Sequence, residues 1–234
     1  MRGSLSIVFP AYNEEANIES AVRRALSVLP RLASDYEVIV VNDGSRDRTR
    51  ELAEALATDH HPVVRLLNHL DNRGYGAALR TGFRHARGEL IFFTDADNQF
   101  DVAELKDFLP LMDRYDVMTG FRIDRDDPAL RCVISWCWNL LVGAVFHVRV
   151  RDVDCAFKLF RRDALATITL ECDNFFASAE LLAKARRANL RIGEHGVRHY
   201  PRVAGTTTVR ASDIPGTLRE VWRMWWRVYR AGRR

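Results

Sequence analysis

The chain has 234 residues, of which 47% are hydrophobic and 28% are charged, and its formal net charge is +4. This composition is that of a globular protein with a full core, and it argues against a disordered or fibrous chain. The charge is too modest, and the basic residues are too concentrated at the C-terminus, for a nucleic-acid-binding protein. The four cysteines lack metal-ligand spacing and indicate no disulfide framework, so we expect a reducing compartment.

Short apolar runs alternate with amphipathic stretches in the first half of the chain. Strands are predicted at Ser6–Phe9, Glu37–Val41, Val63–Leu67, Leu90–Phe93 and Asp116–Thr119. Helices are predicted between these strands, at Glu15–Leu29, Asp47–Ala57, Gly76–Ala86 and Ala103–Arg114. This alternating order predicts an α/β domain with a mostly parallel central sheet and helices on both of its faces.

The pattern changes in the second half of the chain. A helix, a strand, a helix, a strand and a final helix are predicted at Ala129–Phe146, Cys155–Phe160, Ala177–Ala188, Arg191–His195 and Ile214–Arg230. We divide the chain into one domain of residues 1–212 and a C-terminal amphipathic helix of residues 213–234. We expect no signal peptide, because the first apolar run, Leu5–Phe9, is too short and is followed by Pro10 and two glutamates. We expect no membrane span, because no segment reaches the roughly 18 uninterrupted apolar residues that a span needs.

Polar residues follow three of the predicted strands at the point where each strand ends. Asp95 and Asp97 follow the fourth strand, and Asp43 ends the second. Tyr12 and Glu14 follow the first strand, so all these residues should meet at one edge of the sheet, where ligands bind in such folds. Two carboxylates one residue apart suit Mg²⁺ or Mn²⁺ with phosphate, although a turn with a helix-capping aspartate has the same pattern.

Four segments, in this order along the chain, resemble the family 2 glycosyltransferases, which have the GT-A fold. The segments are Val8–Glu15, Val40–Ser45, Asn72–Gly76 and Thr94–Gln99. Within that family the chain is most similar to polyprenyl-phosphate hexose synthases of the dolichol-phosphate mannose synthase type, through Arg122, Arg131, Ser135 and the segments 154–158 and 201–207. That subfamily commonly has Ser-Gly-Phe-Arg where this chain has Cys155–Lys158. This difference concerns the specificity for the sugar or the acceptor and does not affect the expected fold.

The resemblance implies a metal-dependent, inverting transfer of a hexose, with mannose favoured, from GDP-mannose or a UDP-sugar to a polyprenyl phosphate. It assigns the nucleotide sugar to Pro10, Tyr12, Glu14, Asp43, Asp95, Ala96, Asp97 and Gln99. It assigns Mg²⁺ or Mn²⁺ to Asp95, Asp97 and Gln99, with Asp97 the most direct ligand. It assigns the acceptor phosphate to Arg122, Arg131, Ser135, Lys158 and Arg202. The catalytic candidates are Asp97, Arg122 and Arg131.

The acceptor class decides which residues the chemistry needs. A phosphate monoester is largely ionised near neutral pH, so it needs arginines that align two anions and no general base. A hydroxyl acceptor would instead need a carboxylate base, for which Glu180 is the candidate and Asp173 a weaker one. Both acceptor classes are open at this point, as is a nucleotide-sugar-binding module without turnover.

Two segments indicate a membrane surface. The last helix places four aromatic residues on one face, beside a stripe of arginines: Trp222, Trp225, Trp226 and Tyr229, with Arg219, Arg223, Arg227, Arg230 and Arg234. This arrangement suits a lipid headgroup boundary, but the same face could pack on the domain. The helix Ala129–Phe146 is apolar around most of its circumference, which suits core, an oligomer contact or shallow insertion. We therefore expect a peripheral protein on the cytoplasmic face of a membrane.

Overall fold

The structure is a computed structural model that describes residues 3–123, 129–201 and 214–229, except the side chains of residues 129–132, 134, 214–220 and 227. Within these residues the strands are β1 (Ser4–Ala11), β2 (Asp35–Asp43), β3 (Val64–His69), β4 (Leu90–Thr94), β5 (Val117–Ile123), β6 (Phe157–Arg161) and β7 (Ile192–Arg198). The α-helices are α1 (Ile18–Leu32), α2 (Thr49–Asp59), α3 (Tyr75–His85), α4 (Leu105–Phe108), α5 (Ala129–Phe146), α6 (Arg162–Ala166), α7 (Ala177–Arg187) and α8 (Ile214–Tyr229).

The strands of the described residues form one sheet, in the order β3-β2-β1-β4-β6-β5-β7. All neighbouring pairs are parallel except the two that involve β6, which lies antiparallel between β4 and β5. The prediction of a mostly parallel sheet is therefore confirmed. Because β6 runs in the opposite direction, its first residue, Phe157, pairs with Thr94, the last residue of β4. The carboxyl ends of the parallel strands and the amino end of β6 share one edge, which we call the carboxyl edge.

Alternate residues of the strands face two separate hydrophobic cores. In β4, Ile91 and Phe93 belong to one core and Phe92 to the other. Helices α3, α5, α6, α7 and α8 cover the first core, and α1, α2 and α4 cover the second. Because both faces of the sheet are buried near its centre, the central strands β1 and β4 read in the sequence as nearly continuous apolar runs.

The predicted helix Ala103–Arg114 is wrong in extent. The chain instead forms the short helix α4 between two 3₁₀ helices, Val102–Glu104 and Leu109–Asp113. Pro110 lies at the start of the second 3₁₀ helix, and proline lacks the N–H group that a continuous α-helix requires. Phe108 is nevertheless fully buried, so this segment still covers the second core.

Helix α8 packs on α5 and α7 through a face that does not carry its tryptophans. The buried residues of α8 are Val221, Met224 and Val228, whereas the exposed ones include Trp222, Trp225 and Trp226. Tyr229 is half-buried and lies against both Trp225 and Phe146, with ring centroids 5.8 Å and 6.3 Å away. None of the helices that the structure describes is long and apolar enough to cross a membrane. The predicted division at residue 212 lies outside the described residues.

A buried carboxylate joins the strands in the half of the sheet opposite the carboxyl edge. Glu37 of β2 accepts hydrogen bonds from Ser6 Oγ at 2.7 Å, from the Arg87 amide at 2.6 Å and from Arg65 Nη1 at 2.7 Å. Burial by itself would raise the pKa of Glu37, but these hydrogen bonds outweigh it and hold the pKa below its ordinary value. The ionised carboxylate therefore stabilises the contact between β1, β2 and the loop before β4.

We predict that Glu37→Gln lowers the free energy of unfolding by about 1–3 kcal/mol at pH 7, because charge-assisted hydrogen bonds are lost in a buried place. A carboxyl group whose folded pKa is lowered stabilises the protein above its unfolded pKa, and this stabilisation disappears as the pH falls through the folded value. The difference between the two proteins should therefore shrink below the ordinary glutamate pKa of 4.5.

Urea unfolding at several pH values measures this difference. Glu54→Gln is the matched control, because Glu54 forms an exposed ion pair with Arg50 within one helix. Its effect should stay within about 0.5 kcal/mol. Equal losses from the two substitutions, or a Glu37→Gln loss that grows as the pH falls, would contradict the assignment.

Candidate active site at the carboxyl edge

Neighbouring strands bring the predicted nucleotide-binding residues together at the carboxyl edge. Pro10 of β1 lies in register beside Val41 of β2, and Asp43 ends β2 two residues later. Strand β4 pairs with the other side of β1, and Asp95 and Asp97 come directly after it. The predicted residues therefore converge from three adjacent strands.

The turn after β4 holds Asp97 in a buried position. Asp97 and Ala96 are each 2% exposed, and Asp97 Oδ1 accepts a 3.1 Å hydrogen bond from the Gln99 amide. Asn98 has φ 61°, a left-handed conformation that asparagine tolerates, and its side chain donates to α1. The Gln99 carboxamide donates to the Tyr200 carbonyl at 3.2 Å. Gln99 thus joins the Asp97 turn to the segment after β7, and its role toward metal or phosphate stays a prediction.

Tyr75, the first residue of α3, lies close to the acidic pair, although sequence reasoning gave it no role. The negative charges of Asp95 and Asp97 act on its hydroxyl. Burial of the ring, followed by the charge of Asp95, raises the pKa of Tyr75 well above its ordinary value, so the phenol stays neutral and keeps its proton to donate. One feature of the sequence could have indicated a role for Tyr75. It lies between Gly74 and Gly76, in one of the four segments that resemble the family 2 glycosyltransferases.

Asp43 holds the loop that precedes α3. Its Oδ1 accepts from the Arg73 amide at 3.0 Å, and its Oδ2 accepts from the Gly74 amide at 2.8 Å. His69 Nδ1 lies 2.6 Å from the same carboxylate, and Asp43 is 3% exposed. Both carboxylate oxygens are therefore bonded within the protein, and a contact between Asp43 and a nucleoside stays a prediction.

The loop after β1 carries Tyr12 and Glu14. The Glu14 amide donates to Thr49 Oγ1 at 2.8 Å, and the Glu14 carboxylate accepts from the Asn17 side chain at 2.7 Å. Pro10 is buried within β1, whereas Tyr12 is 37% exposed. The Tyr12 ring is thus accessible at the edge, while Glu14 is held by helices α1 and α2 at their starts.

Arg122, near the end of β5, forms a nearly buried ion pair with Asp152. The pair is bidentate, with Nε 2.6 Å from Oδ2 and Nη2 2.9 Å from Oδ1. The two side chains are 12% and 5% exposed. Burial opposes the charge of Arg122, but the hydrogen bonds and the charge of Asp152 outweigh this effect and raise its pKa. The guanidinium is therefore a fixed positive charge at the carboxyl edge.

Lys158 does not face solvent, and its predicted contact with the acceptor phosphate stays a prediction. The side chain is fully buried in β6, and its ammonium donates to the carbonyls of Val153, at 3.0 Å, and Cys155. The same ammonium lies 5.8 Å from the centre of the Phe93 ring. Burial lowers the pKa of Lys158. These contacts give Lys158 a structural role beneath the loop that leads into β6.

Two acids of that loop, Asp152 and Asp154, were given no role by sequence reasoning. Trp138 of α5 lies beside Asp154 and favours its ionised form. Although Asp154 is exposed, the protein atoms around it raise its pKa, and the nearby charge of Asp152 adds to the increase. The sequence could have indicated a role for them, because Asp152 and Asp154 are separated by one residue, as Asp95 and Asp97 are.

The other residues predicted to bind the acceptor phosphate can be placed only in part. Ser135 is half-buried on α5. Arg131 lies in α5, but its side chain is not among those described, and Arg202 lies outside the described residues. The roles of all three residues stay predictions.

Glu180, the base that the hydroxyl-acceptor alternative requires, is fully buried in α7. Its Oε2 accepts from the amides of Glu171 at 3.0 Å and Cys172 at 2.7 Å, and its Oε1 lies 2.7 Å from Lys184 Nζ. Asp173 is exposed and forms an ion pair with an arginine of α3. Glu180 therefore fixes the segment before α7, and the geometry does not support its action as a base on an acceptor.

Gly74 and Gly76 allow α3 to start directly against that segment. A Cβ atom on Gly74 would overlap the Asp173 carbonyl oxygen, and one on Gly76 would overlap the Cys172 carbonyl oxygen. Gly74 also has φ 95°, a conformation that favours glycine. The Gly76 amide donates to the Asp173 carbonyl at 2.9 Å. The position of Tyr75 is thus set by backbone contacts on both of its sides.

The acidic pair fits a hard divalent cation that is shared with a ligand. Among the residues that the structure describes, no group of three histidine, cysteine or acidic side chains could hold a metal ion by itself. Mg²⁺ is commonly bound by one or two carboxylates together with substrate phosphates, and Mn²⁺ accepts the same oxygen ligands. Asp95 and Asp97 supply such a pair, so the remaining ligands would come from a diphosphate and water.

The chain belongs to the glycosyl transferase family 2, whose family model matches residues 6–169. Among its relatives, glycosyltransferase AglD of Haloferax volcanii is 35% identical over 96% of this chain and 37% of the relative. Dodecaprenyl-phosphate galacturonate synthase of Rhizobium johnstonii is 30% identical, over 87% of this chain and 61% of the relative. Dolichyl-phosphate beta-glucosyltransferase ALG5A of Trichomonas vaginalis is 33% identical, over 81% of this chain and 64% of the relative. The chain thus spans between 37% and 64% of the lengths of these relatives.

The GT-A architecture is also that of a solved glycosyltransferase. The structure of glucosyl-3-phosphoglycerate synthase from Mycobacterium tuberculosis, in complex with Mn²⁺, UDP and glucosyl-3-phosphoglycerate, matches with a TM-score of 0.73. The match covers 97% of this chain and 80% of the other, at 19% sequence identity. This similarity confirms the predicted fold.

We predict that Gly76→Ala lowers the free energy of unfolding by about 2–3 kcal/mol, because the added methyl group must push two backbone segments apart. Urea unfolding measures the loss. Gly143→Ala in α5 is the control, since the added Cβ would approach the Val148 carbonyl at 3.2 Å and alanine favours a helix. The control should lose less than about 1 kcal/mol. A Gly76→Ala protein as stable as the wild type would contradict the packing described here.

Proposed function

We propose that this chain transfers a hexose from a nucleotide sugar to a polyprenyl phosphate, with inversion at the anomeric carbon and with Mg²⁺ or Mn²⁺ bound at Asp95 and Asp97. The observation that carries the proposal is the presence of this acidic pair and of the fixed charge of Arg122 at the carboxyl edge. Membership of the family supports the reaction class. Two of the relatives described above are named for a dodecaprenyl or a dolichyl phosphate, which supports the acceptor class.

The acidic pair is proposed to hold the donor. Asp97 would bind the metal ion most directly, with Asp95 beside it, and the accessible Tyr12 ring would stack on the nucleobase. The mycobacterial structure with the same fold contains Mn²⁺ and UDP, which supports a divalent cation in this place. When bound, the metal ion neutralises the charge that develops on the departing nucleoside diphosphate. The buried Asp97 turn holds the carboxylate in one position for this task.

The acceptor is proposed to react through a phosphate oxygen. That oxygen attacks C1 of the sugar as the bond from C1 to the diphosphate breaks. Because a phosphate monoester is largely ionised near neutral pH, no proton has to be removed and no general base is needed. Arg122 would attract and orient the acceptor phosphate, with Arg131, Ser135 and Arg202 as proposed partners. The buried, ion-paired state of Glu180 agrees with a reaction that needs no base.

The sugar has to be chosen among several candidates. The sequence resemblance favours mannose, whereas the relatives described above are named for galacturonate and glucose transfer. We therefore propose a hexose donor, and an experiment has to compare GDP-mannose with UDP-linked glucose and galacturonate.

Mass spectrometry of the lipid product tests the proposal. The full chain is incubated with Mn²⁺, each of these nucleotide sugars and a short polyprenyl phosphate. We predict a hexosyl-phosphoryl-polyprenol and a loss of roughly 10²–10³-fold in rate for Asp97→Asn, because the charge that binds the metal ion is removed. Asp101→Asn is the matched control, since Asp101 caps the nearby 3₁₀ helix through Ala103.

The control should keep most of the activity of the wild type. Full activity of Asp97→Asn would contradict the metal-binding role. Hydrolysis of the nucleotide sugar without a lipid product would contradict the acceptor class and leave the donor site in place.

We also propose that α5 and α8 rest on an anionic membrane surface. The two helices pack against each other, and both expose large apolar residues, which we call the aromatic surface: Val133, Trp136, Leu140, Trp222, Trp225 and Trp226. Arg223 is exposed on α8 and would meet lipid phosphates. This position would bring the carboxyl edge to a lipid acceptor on the leaflet that faces the cytoplasm.

Co-sedimentation with vesicles of mixed anionic and zwitterionic lipid tests the aromatic surface. We predict that the double substitution Trp222→Ala and Trp226→Ala weakens vesicle binding at least about tenfold, because two apolar side chains no longer enter the interface. Leu70→Ala is the control, since Leu70 is 96% exposed outside that surface. Equal binding by the wild type and the tryptophan variant would contradict a membrane role for α8.

A further inference from the structure

We propose that Asp152 is a positioning residue for Arg122: it holds one side of the guanidinium, so that the end carrying Nη1 is presented to the acceptor phosphate. The inference rests on the proposed function, since it concerns the arginine that would orient the acceptor. It adds a residue of the loop that leads into β6, to which the sequence gave no role, to the proposed acceptor site.

Asp152 contacts both the side chain and the backbone of Arg122. Its Oδ2 accepts from Arg122 Nε at 2.6 Å and, more weakly, from the Arg122 amide at 3.4 Å, and its Oδ1 accepts from Nη2 at 2.9 Å. A guanidinium carries five N–H donors in one plane, and this bidentate contact uses the Nε donor and one donor of Nη2. The end of the guanidinium that carries Nη1 therefore lies on the side away from Asp152.

Backbone contacts on both sides of Asp152 hold its carboxylate in place. The amide of the preceding residue donates to Glu194 Oε1 of β7 at 2.6 Å. The Val153 amide donates to Asn139 Oδ1 of α5 at 2.9 Å, and the Val153 carbonyl accepts from the buried Lys158 ammonium of β6 at 3.0 Å. Asp152 is thus tied to three elements of the fold, and it gives Arg122 a fixed partner.

A similar pair occurs at the opposite end of β5, between Asp116 and Arg191. Arg191 donates to Asp116 through its amide at 2.8 Å, its Nε at 3.0 Å and its Nη2 at 2.7 Å. The contact pattern alone is therefore no indication of a ligand. The places of the two arginines differ, because the Arg191 side chain is 57% exposed beside the start of β5, whereas Arg122 is 12% exposed at the carboxyl edge.

The charge of Asp152 affects the binding and the alignment of an anion in opposite ways. A carboxylate beside Arg122 offsets part of its positive charge and lessens its attraction for a phosphate. The same carboxylate restricts the rotation of a long side chain, which would otherwise have to be ordered when the acceptor aligns with C1 of the sugar. Loss of this contact should therefore lower kcat without raising KM for the acceptor.

Steady-state kinetics of the full chain test the inference, with Mn²⁺, a short polyprenyl phosphate and the nucleotide sugar that the wild type uses. Four variants are compared with the wild type: Asp152→Asn, Arg122→Lys, the double substitution and Asp116→Asn. Asp116→Asn is the matched control, because it alters the same kind of pair at the other end of β5.

Each rate is divided by the number of nucleotide-binding sites in the preparation. Calorimetric titration with Mn²⁺ and the nucleoside diphosphate of the same donor gives that number. This division separates a slower active site from a smaller fraction of folded protein, which a purely structural role for Asp152 would produce.

We expect Asp152→Asn to lower kcat per site about tenfold, the size of effect that follows loss of one hydrogen bond to a charged group. KM for the polyprenyl phosphate should fall or stay within about threefold of the wild-type value. Arg122→Lys keeps the charge but cannot form the planar bidentate pair, so it should lose a similar factor in kcat. In that background Asp152→Asn should change kcat less than about twofold, because the group that Asp152 orients is gone. Asp116→Asn should keep the wild-type kcat and KM.

Four results overturn the inference while the proposed function stands. They are a wild-type kcat for Asp152→Asn, a KM for that variant that rises by more than about threefold, an equal loss of kcat in both Arg122 backgrounds, and an equal loss for Asp116→Asn. If Asp152→Asn does not fold, Arg122→Lys decides, since a wild-type kcat in that variant contradicts the need for an oriented guanidinium. If the wild type forms no lipid product with any of the nucleotide sugars, the proposed function fails and the inference fails with it.

Discussion

Crowding of negative charge at the carboxyl edge is the constraint on which the rest of the site depends. Several carboxylates come to this edge, and donors from the protein hold three of them in place. Asp43 accepts from the Arg73 and Gly74 amides, Asp97 accepts from the Gln99 amide, and Asp152 accepts from Arg122. Like charges held close together in a partly buried place cost free energy unless donors or cations offset them. An edge built in this way favours a ligand that arrives with a divalent cation.

The fold keeps this acidic edge in place through residues that are themselves withdrawn from solvent. Asp43 fixes the loop before α3, and Glu180 fixes the segment on which α3 packs. Lys158 supports the loop that carries Asp152 and Asp154 by bonding its carbonyl groups. Buried polar groups are stable only when their hydrogen bonds are satisfied, so these networks also limit how far the site can rearrange. The geometry at the edge therefore depends on several acids and one lysine that do not face a ligand.

The features that could be predicted from the sequence are the local ones. The run Leu90–Phe93 indicates a buried strand, and the acids that follow it must lie at the strand's end, so the sheet and the acidic pair were predicted together. The burial of Lys158 could not be predicted, because it depends on where tertiary packing places the carbonyls of Val153 and Cys155. The effect of the Asp95 charge on Tyr75 depends on the packing of separate elements and leaves no periodic signal. Pro110 was visible in the sequence, but the apolar spacing around it led to a helix that is too long.

The central claim is that Asp97 holds a divalent cation together with a nucleoside diphosphate. Anomalous X-ray diffraction from crystals of the full chain grown with Mn²⁺ and UDP, or with Mn²⁺ and GDP, tests this claim most directly. We predict that Mn²⁺ lies between the Asp97 carboxylate and the diphosphate oxygens at the carboxyl edge, as expected for a carboxylate site that shares its cation with phosphate. A nucleotide bound at this edge without a metal ion near Asp97, or Mn²⁺ bound elsewhere on the chain, would contradict the account.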